Sequence, residues 1–568
     1  MERPKSVRWK PDAARPQTSV PSAPTFYPTA EEFTDPVAYI NKIRPEGEKA
    51  GIACIVPPEG WEPPFALEKG TNGQSAESFR FSIRKQLTSH LCMRVANTGK
   101  ATKRREKRVE DRGLLCRYDR AGEDEDPAHE HADFGFVTLE RPYTLRSFAA
   151  YADWVKALHF SNPPPKLCSY SGPEPTVEEI EAEFWRIVES PDEVVESLYG
   201  QDLDSGHHGS GFPLPPFRQR LLEAHLAATE GAKKDGEKRK FTPEETVYSE
   251  HKWNINNMPR CKGSVLRYLV GEELITGVMV PWLYVGSCLS AFCWHVEDHA
   301  LYSVNYLHMG APKVWYGVPA HASEALEIAM RDALPHLFEH SPDLLYQLVT
   351  LVSPTQLRAR GVPVHRLVHK EGSFVITFPN AYHAGFNTGF NCAEAVNFGP
   401  PDWLPWGTYV ADKYRREGRS ATLSHDALLI ALVAAAPDVS ARLMREAQAR
   451  ALPVTLKHTP GKPKLQHTCR GGPFAGLLAC MSIVGDIVKC QLKGRCLRTG
   501  ALDADGVHTN TEDVDCEVCK GDLHLWAVVS PKCPGRATCA EHASALGCPV
   551  DDMVLLYRHA PWSYPPAS

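Results

Sequence analysis

The hydrophobic pattern changes period several times along this chain, and each change marks a different kind of element. Between Pro24 and Pro64 the residues Phe26, Tyr27, Phe33, Tyr39, Ile40, Ile43, Ile52 and Ile55 make a compact apolar stretch. Thr29 can cap a short helix that begins at Ala30-Glu31-Glu32-Phe33, and Pro36 suits the first position of a second. Gly51-Ile-Ala-Cys-Ile-Val-Pro-Pro58 then reads as a short buried strand. Over residues 134–204 the period is helical. Thr176-Val-Glu-Glu179 is a capping box, Val177, Ile180, Phe184, Ile187 and Val188 share one face, and another helix is expected from Leu145 to Leu158. Residues 245–403 differ: short Val, Tyr, Phe and Trp runs alternate with Gly/Pro turns, as in a β-sandwich or small barrel. The helical period returns over 404–466, notably from Ser424 to Ala451.

Three stretches have no such period. Residues 1–23 are polar and Pro-rich and predict a disordered N-terminus. Residues 66–133 predict a connecting segment with a flexible insert, because a basic run, Lys103 to Arg108, is followed by an acidic one, Glu123 to Asp126. The basic run reads equally as a nuclear import signal or as a solvated linker. Residues 205–244, rich in Gly and Lys, predict a flexible linker. The fold class expected is α+β, without internal repeats.

Composition narrows this further. A chain of 568 residues can hold two to four domains. A net charge of −6 is too weak for a protein held to nucleic acid by charge, though it suits a basic peptide. Met1 to Pro21 lacks the apolar core of a secretory leader, and the longest apolar run, Ala427 to Ala436, is about half a bilayer span. A soluble, intracellular protein without a membrane partner is expected. Of 17 cysteines, nine lie between Cys469 and Cys548, which predicts metal binding within 467–568 rather than a disulfide framework.

Candidate chemistry falls in two places. In Phe292-Cys-Trp-His295-Val-Glu297 the alternation of a strand puts His295 and Glu297 on one face. A second strand, Ser373 to Phe378, precedes Pro379-Asn-Ala-Tyr-His383, which offers a third ligand. Two histidines and one carboxylate suit Fe(II) with three positions open. Zinc on the same ligands, for hydrolysis, is the competing reading. With 24 histidines in the chain, spacing alone also leaves open a pair of structural histidines. Lys313-Val-Trp315 follows an expected hairpin, Leu301 to Leu307, with Met309-Gly-Ala-Pro312 as its turn. A buried lysine there needs an anion such as a dicarboxylate, whereas a surface strand lysine needs nothing. Near the C-terminus, Cys516-x2-Cys519 and Cys539-x2-His542, separated by 19 residues, fit one tetrahedral structural zinc.

The runs Trp282-Leu-Tyr284-Val-Gly, Trp294-His-Val-Glu-Asp-His299, Asn305-Tyr-Leu-His, Pro312-Lys-Val-Trp-Tyr-Gly and Tyr382-His-Ala-Gly-Phe-Asn resemble the JmjC domain. Pro24-Thr-Phe-Tyr-Pro28, Asp35-Pro36 and the strand at Gly51 resemble its companion JmjN segment, here 24–65. The resemblance implies a double-stranded β-helix, the cupin-like jelly roll, over 245–403, and an Fe(II)- and 2-oxoglutarate-dependent dioxygenase. His295, Glu297 and His383 would hold the iron. Lys313 and Tyr248 would bind the distal carboxylate of 2-oxoglutarate, with Asn305, Phe292 and Trp315 lining its pocket. Tyr284, helped by Asn397, would meet a methylated ammonium. The reaction implied consumes O2 and 2-oxoglutarate and releases succinate, CO2 and formaldehyde from methyl-lysine.

Residues 516–559 resemble the zinc finger named for five cysteines, a histidine and two cysteines, and Leu555-Tyr557-Arg558-His559 fits its end. From Cys516 onward only Cys516, Cys519, Cys533, Cys539, His542 and Cys548 are present, and Ser530 stands where a cysteine is expected. A second Zn(II) using Cys533 and Cys548 would need His524 or one of Cys469, Cys480, Cys490 and Cys496. The domain order, and Ala393-Glu-Ala395-Val396-Asn397, are similar to the branch acting on lysine 4 of histone H3. That implies a nuclear enzyme of the histone H3 tail, recruited by partner proteins or its finger, since no DNA-binding domain of clear type is evident. Alternatives are histone H3 lysine 9 or 36, a protein hydroxylase of the same chemistry, and a silent chromatin scaffold.

Overall fold

A computed structural model of the chain describes residues 5–69, 79–92, 136–161, 174–190, 193–220, 241–269, 275–341, 344–347, 349–435, 498–501, 515–521, 523, 526–530, 532–533, 536–549 and 553–557. The strands that build the site are β1 (Thr25–Phe26), β2 (Ile52–Ile55), β3 (Phe81–Leu87), β4 (Phe136–Tyr143), β5 (Glu196–Asp204), β6 (Trp282–Gly286), β7 (Ala291–His295), β8 (Tyr302–Gly310), β9 (Lys313–Val318), β10 (His365–His369), β11 (Phe374–Thr377), β12 (Tyr382–Asn387) and β13 (Asn391–Phe398). The helices around them are α1 (Pro36–Gly47), α2 (Leu145–Phe160), α3 (Val177–Val188), α4 (Pro243–Glu250), α5 (Ser323–Ala333), α6 (Leu404–Glu417) and α7 (His425–Ala435).

Two antiparallel four-strand arrays make the jelly roll. One runs β11-β8-β13-β6 and the other β10-β9-β12-β7. Strands β9 and β12 are buried at every position, so Lys313, His383 and Asn387 lie inside along with their apolar neighbours. Their outer face is covered by α3, where Phe184 stacks on Phe386 at 4.1 Å and the Trp185 indole donates to the Tyr316 hydroxyl at 2.8 Å. Phe184 is fully buried, and such a side chain contributes about 2–3 kcal/mol. The sequence dictates α3 locally, because Thr176 and Glu179 exchange both bonds of the capping box. Asp35 caps α1 by accepting from the Ala38 amide, and Ile40 and Ile43 carry that helix into the core beside Phe374, Ile376 and Phe378.

The first array is wider than residues 245–403 can supply. Strand β2 adds to β11 antiparallel and β1 to β2 in parallel, while β5, β3 and β4 extend the other edge to nine strands. Residues 24–65 and 66–133 therefore contribute strands to the same sheet as the JmjC stretch. Within 134–204, predicted helical throughout, β4 and β5 flank the two helices. Both are obscured in the sequence because half their residues are polar and their partners are distant along the chain.

Other expectations also need correction. Residues 5–23 are a packed strap, not a disordered tail. The Arg15 amide donates to the Ala182 carbonyl at 3.0 Å, Trp9 packs on Phe160 with centroids 5.4 Å apart, and the Arg366 amide donates to the Pro21 carbonyl at 2.8 Å. A strap has no period because each residue meets a different neighbour. Of the predicted linker 205–244, residues 209–214 include fully buried Ser210 and Phe212. Strands β8 and β9 are no hairpin: the turn at Gly310 carries the chain from one array to the other. The start at Ala30 is a single 3-10 turn, Glu32–Thr34.

A separate sheet, β14 (Arg498–Ala501), β15 (Trp526–Val529), β16 (Ala537–Thr538) and β17 (Val554–Tyr557), carries the cysteine region. The charge runs 103–108 and 123–126, the helix expected beyond residue 435, Cys469, Cys480, Cys490, Cys496, His524, Arg558 and His559 lie outside the described residues. Among the described residues, no helix is long and apolar enough to cross a membrane.

Candidate active site

Strands β7 and β12 are hydrogen-bonded neighbours, and their register sets His295 opposite His383. The two imidazole centroids are 4.1 Å apart. Glu297 lies two residues beyond the end of β7 and brings Oε1 to 3.2 Å from His383 Nε2. The ligand atoms of all three residues lie within 4.8 Å of one another. Residues from two distant stretches are thus united by one strand pair.

Each histidine is held in one tautomer. His295 Nδ1 donates to the Cys293 carbonyl at 2.7 Å and His383 Nδ1 to that of Ala381 at 3.0 Å. Both Nε2 lone pairs then face inward, as a metal requires. Burial, reinforced by His383, pushes the His295 imidazolium down to about 4. Burial alone would raise Glu297, but its contacts with His383, His295 and Asn397 outweigh it and hold the carboxyl at about 2. Two nitrogen lone pairs and a carboxylate converging in a buried spot need a cation between them. The donor set fits Fe(II), and one face of an octahedron would remain for other ligands.

Next to the triad is a basic and aromatic group, with the Phe292 ring 6.4 Å from that of His295 and the Trp315 ring 5.9 Å from that of His383. Lys313 is 1 % exposed, with Nζ 2.7 Å from Asn387 Oδ1 and 3.2 Å from the Tyr199 hydroxyl. Among the described residues no carboxylate pairs with it, and burial pushes the ammonium down to about 7. Phe292 lies between Lys313 and Trp315: Nζ is 5.8 Å from its ring centre, and the Trp315 ring 4.7 Å. Trp315 Nε1 and Asn305 Oδ1 are buried without a hydrogen-bond partner. A buried lysine without an anion, beside two orphaned polar atoms, fits a small dicarboxylate such as 2-oxoglutarate.

Two assignments change. Tyr248, expected at Lys313, sits on α4, where its hydroxyl accepts from the Glu62 amide at 2.9 Å and its ring packs on Trp61 at 5.8 Å. The tyrosine at Lys313 is Tyr199 of β5, missed because its strand is hidden in a stretch of helical period. Asn387, also missed, stands within the Tyr382–Asn387 run that carried the resemblance. Asn397 does not stand free for a substrate ammonium: its Nδ2 donates to Glu297 Oε2 at 2.9 Å and to the Tyr302 carbonyl at 3.2 Å. It steadies the carboxylate ligand instead. Tyr284 is half-buried on β6, 6.3 Å from the Tyr199 ring, with its hydroxyl bonded to Asp202.

Cys516, Cys519, Cys539 and His542 gather their ligand atoms within 4.8 Å, with Cys519 and Cys539 sulfurs 3.9 Å apart. That separation matches the edge of a tetrahedron with Zn–S bonds of about 2.3 Å, roughly 3.8 Å. Burial opposes ionising Cys516, yet backbone N–H groups, led by that of Cys519, bring its thiol down to about 7. The four residues therefore fit one zinc. Cys533 and Cys548 neighbour each other elsewhere, and Cys533 Sγ donates to the Leu546 carbonyl at 3.2 Å. They complete no second four-ligand cluster among the described residues.

Comparison with known families matches residues 282–398 to one described as "JmjC domain, hydroxylase", 24–57 to the "jmjN domain" and 516–562 to the "C5HC2 zinc finger". The chain is 40 % identical over 563 residues to lysine-specific demethylase JMJ703 of Oryza sativa subsp. japonica, covering 97 % of this chain and 41 % of that protein. It is 38 % identical over 576 residues to putative lysine-specific demethylase JMJ16 of Arabidopsis thaliana, covering 98 % and 44 %. Against lysine-specific demethylase 5B of Gallus gallus the identity is 39 % over 430 residues, covering 75 % and 24 %. The chain thus spans less than half the length of each of these relatives. With a JmjN segment, a JmjC domain and a C5HC2 zinc finger in one chain, the protein belongs to the JmjN/JmjC-domain family.

Proposed function

We propose that this protein is an Fe(II)- and 2-oxoglutarate-dependent demethylase of methyl-lysine in histone H3, acting on lysine 4 in the nucleus. The observation that carries the reading is the triad of His295, Glu297 and His383 together with buried Lys313, which among the described residues has no carboxylate partner. Neither half alone is enough: a triad suits zinc hydrolysis too, but a hydrolase has no use for a buried ammonium awaiting a dicarboxylate. Names of the relatives support lysine demethylation, and the Ala393–Asn397 run favours lysine 4.

Iron with 2-oxoglutarate supplies, when bound, the O2-dependent oxidation of an N-methyl C–H bond, after which the carbon leaves as formaldehyde. The chain's own residues do the rest. Lys313 and Tyr199 grip the distal carboxylate of the cosubstrate and fix its orientation, with Asn305 and Trp315 offering polar atoms to it. Asn397 holds Glu297 in place. Tyr284, tied to Asp202, presents an aromatic wall to the methylated ammonium. The net charge of −6 suits a basic tail.

The test is a panel of methylated histone H3 peptides incubated with Fe(II), ascorbate and 2-oxoglutarate and read by mass spectrometry. Losses of about 14 Da per methyl removed, CH2 in mass, are expected at lysine 4 and should vanish in His295→Ala. Activity that survives His295→Ala, or turnover indifferent to 2-oxoglutarate, would sink the proposal. Methyl loss at lysine 9 or 36 alone would overturn the site assignment only.

A further inference from the structure

The residues just after Glu297 have an unusual backbone. His299 has φ 54° and ψ 20°, and Ala300 comes next with φ 50°. Two consecutive left-handed residues, neither of them glycine, are unfavourable unless their surroundings enforce them. Enforcement comes from the chain beyond the JmjC match, which ends at residue 398. The His299 amide donates to the Tyr414 hydroxyl of α6 at 3.1 Å, and the Trp403 indole donates to the His299 carbonyl at 2.9 Å. His299 Nε2 accepts from two amides, Thr422 at 3.1 Å and Leu423 at 3.2 Å. Arg419 donates to Asp298 Oδ1 at 3.0 Å. His299 is wholly buried, so each of these bonds replaces one that water would otherwise make.

We infer that His299, gripped by Tyr414, Trp403 and the 419–423 turn, is a positioning residue that fixes the backbone of the iron ligand Glu297 as Asn397 fixes its carboxylate, and that residues 403–423 are a working part of the iron site. The inference rests on the proposed iron reading. Its physical basis is leverage. Glu297 lies past the end of β7, where strand pairing stops, and outside the triad its carboxylate is held by the Oε2 bond to Asn397. The backbone direction of residue 297 is then set by its C-terminal neighbours. Both peptide groups of His299 are tied down, and the Ala300 amide donates back to the Glu297 carbonyl at 2.9 Å. Releasing His299 frees the ligand backbone to swing while leaving His295 and His383 paired across the sheet.

The test uses the full chain and metal binding rather than turnover. Tyr414→Phe keeps the ring and removes only the acceptor of the His299 amide. His299→Ala removes the acceptor of two amides. Each is titrated anaerobically with Fe(II), and with Co(II), whose visible spectrum reports coordination number. Both variants should bind Fe(II) about 10- to 100-fold more weakly than wild type, as partners of metal ligands do, with an altered Co(II) spectrum. A merely structural role would lower thermal stability and leave affinity and spectrum unchanged, which would overturn the inference. Thr408→Val serves as the control for a loosened helix, since it removes from α6 the hydroxyl paired with His425 at 3.0 Å without touching His299. If it weakens metal binding as much as Tyr414→Phe does, the inference is again overturned. Wild-type protein that binds no Fe(II), or binds it equally well as His295→Ala, would overturn the iron reading as well.

Discussion

Replacing Lys313 by methionine should separate function from stability in opposite directions. Folding takes this side chain from water to a site where its ammonium falls from the ordinary 10.5 to about 7. That gap corresponds to about 5 kcal/mol disfavouring the charged form, an upper bound on what the lysine costs the ligand-free fold. The sign comes from proton counting: between about 7 and 10.5 the folded protein holds fewer protons than the unfolded chain, so stability rises with pH through that window. Methionine has a similar length and no charge. Asn387 Oδ1 would still accept from Asn391 Nδ2 at 2.9 Å, so the loss of Lys313 leaves it partnered. In ligand-free protein at pH 7, Lys313→Met should therefore raise Tm by a few degrees, at about 2 °C per kcal/mol for a large chain, and flatten its rise with pH. Cosubstrate binding should move the other way. Losing the cation leaves a buried carboxylate unpaired, at a cost of about 3 kcal/mol or more, and Kd for 2-oxoglutarate should weaken at least roughly 100-fold. In wild type the anion needs the ammonium form, so its affinity should fall as pH rises above about 7. Calorimetric titration of 2-oxoglutarate into metal-loaded protein, beside thermal scans from pH 6 to 9, reads all of this. A variant with lowered Tm and unchanged Kd would show that Lys313 serves the fold, and the reasoning would be refuted.

Tyr199→Phe should raise KM for 2-oxoglutarate roughly 10- to 100-fold, the worth of one hydrogen bond to a charged carboxylate, while Tyr248→Phe should leave it unchanged. Steady-state assays giving the reverse order would restore the sequence-based assignment of Tyr248. Cys539→Ser should lose the zinc held with Cys516, Cys519 and His542, whereas Cys533→Ser should keep it; elemental analysis of the two purified proteins decides. Deleting residues 5–20 should lower Tm by several degrees, because it removes the strap bonds to Ala182 and the packing of Trp9 on Phe160. A truncated protein as stable as the full chain would mean that the strap is only laid on the surface.

Much of the site is legible in the sequence because its chemistry is local. His295 and Glu297 are two residues apart at a strand end, and Lys313 and Trp315 are two apart along β9. For such pairs the strand period alone says that they share a face. The cap at Thr176 is local in the same way, formed within four residues. Tyr199, Asn387 and the true role of Asn397 are not legible. Each acts through a partner more than 70 residues away: Lys313 lies 114 residues from Tyr199 and 74 from Asn387, and Glu297 lies 100 residues from Asn397. Tyr199 is further concealed because the polar residues of its strand mimic a helix.

The sequence by itself determined which side chains could bind metal, that the stretches after Pro36, Leu145 and Thr176 would be helical, and where a zinc knuckle would close. Those outcomes depend on residue type and on backbone period, which act over a few residues. Only the tertiary structure decided that strands from the first hundred residues complete the sheet of the JmjC stretch, that the strap is bound, and that helix α6 reaches back to the loop after Glu297. Such contacts gain their free energy by excluding water between surfaces that meet only after folding, so no local pattern encodes them.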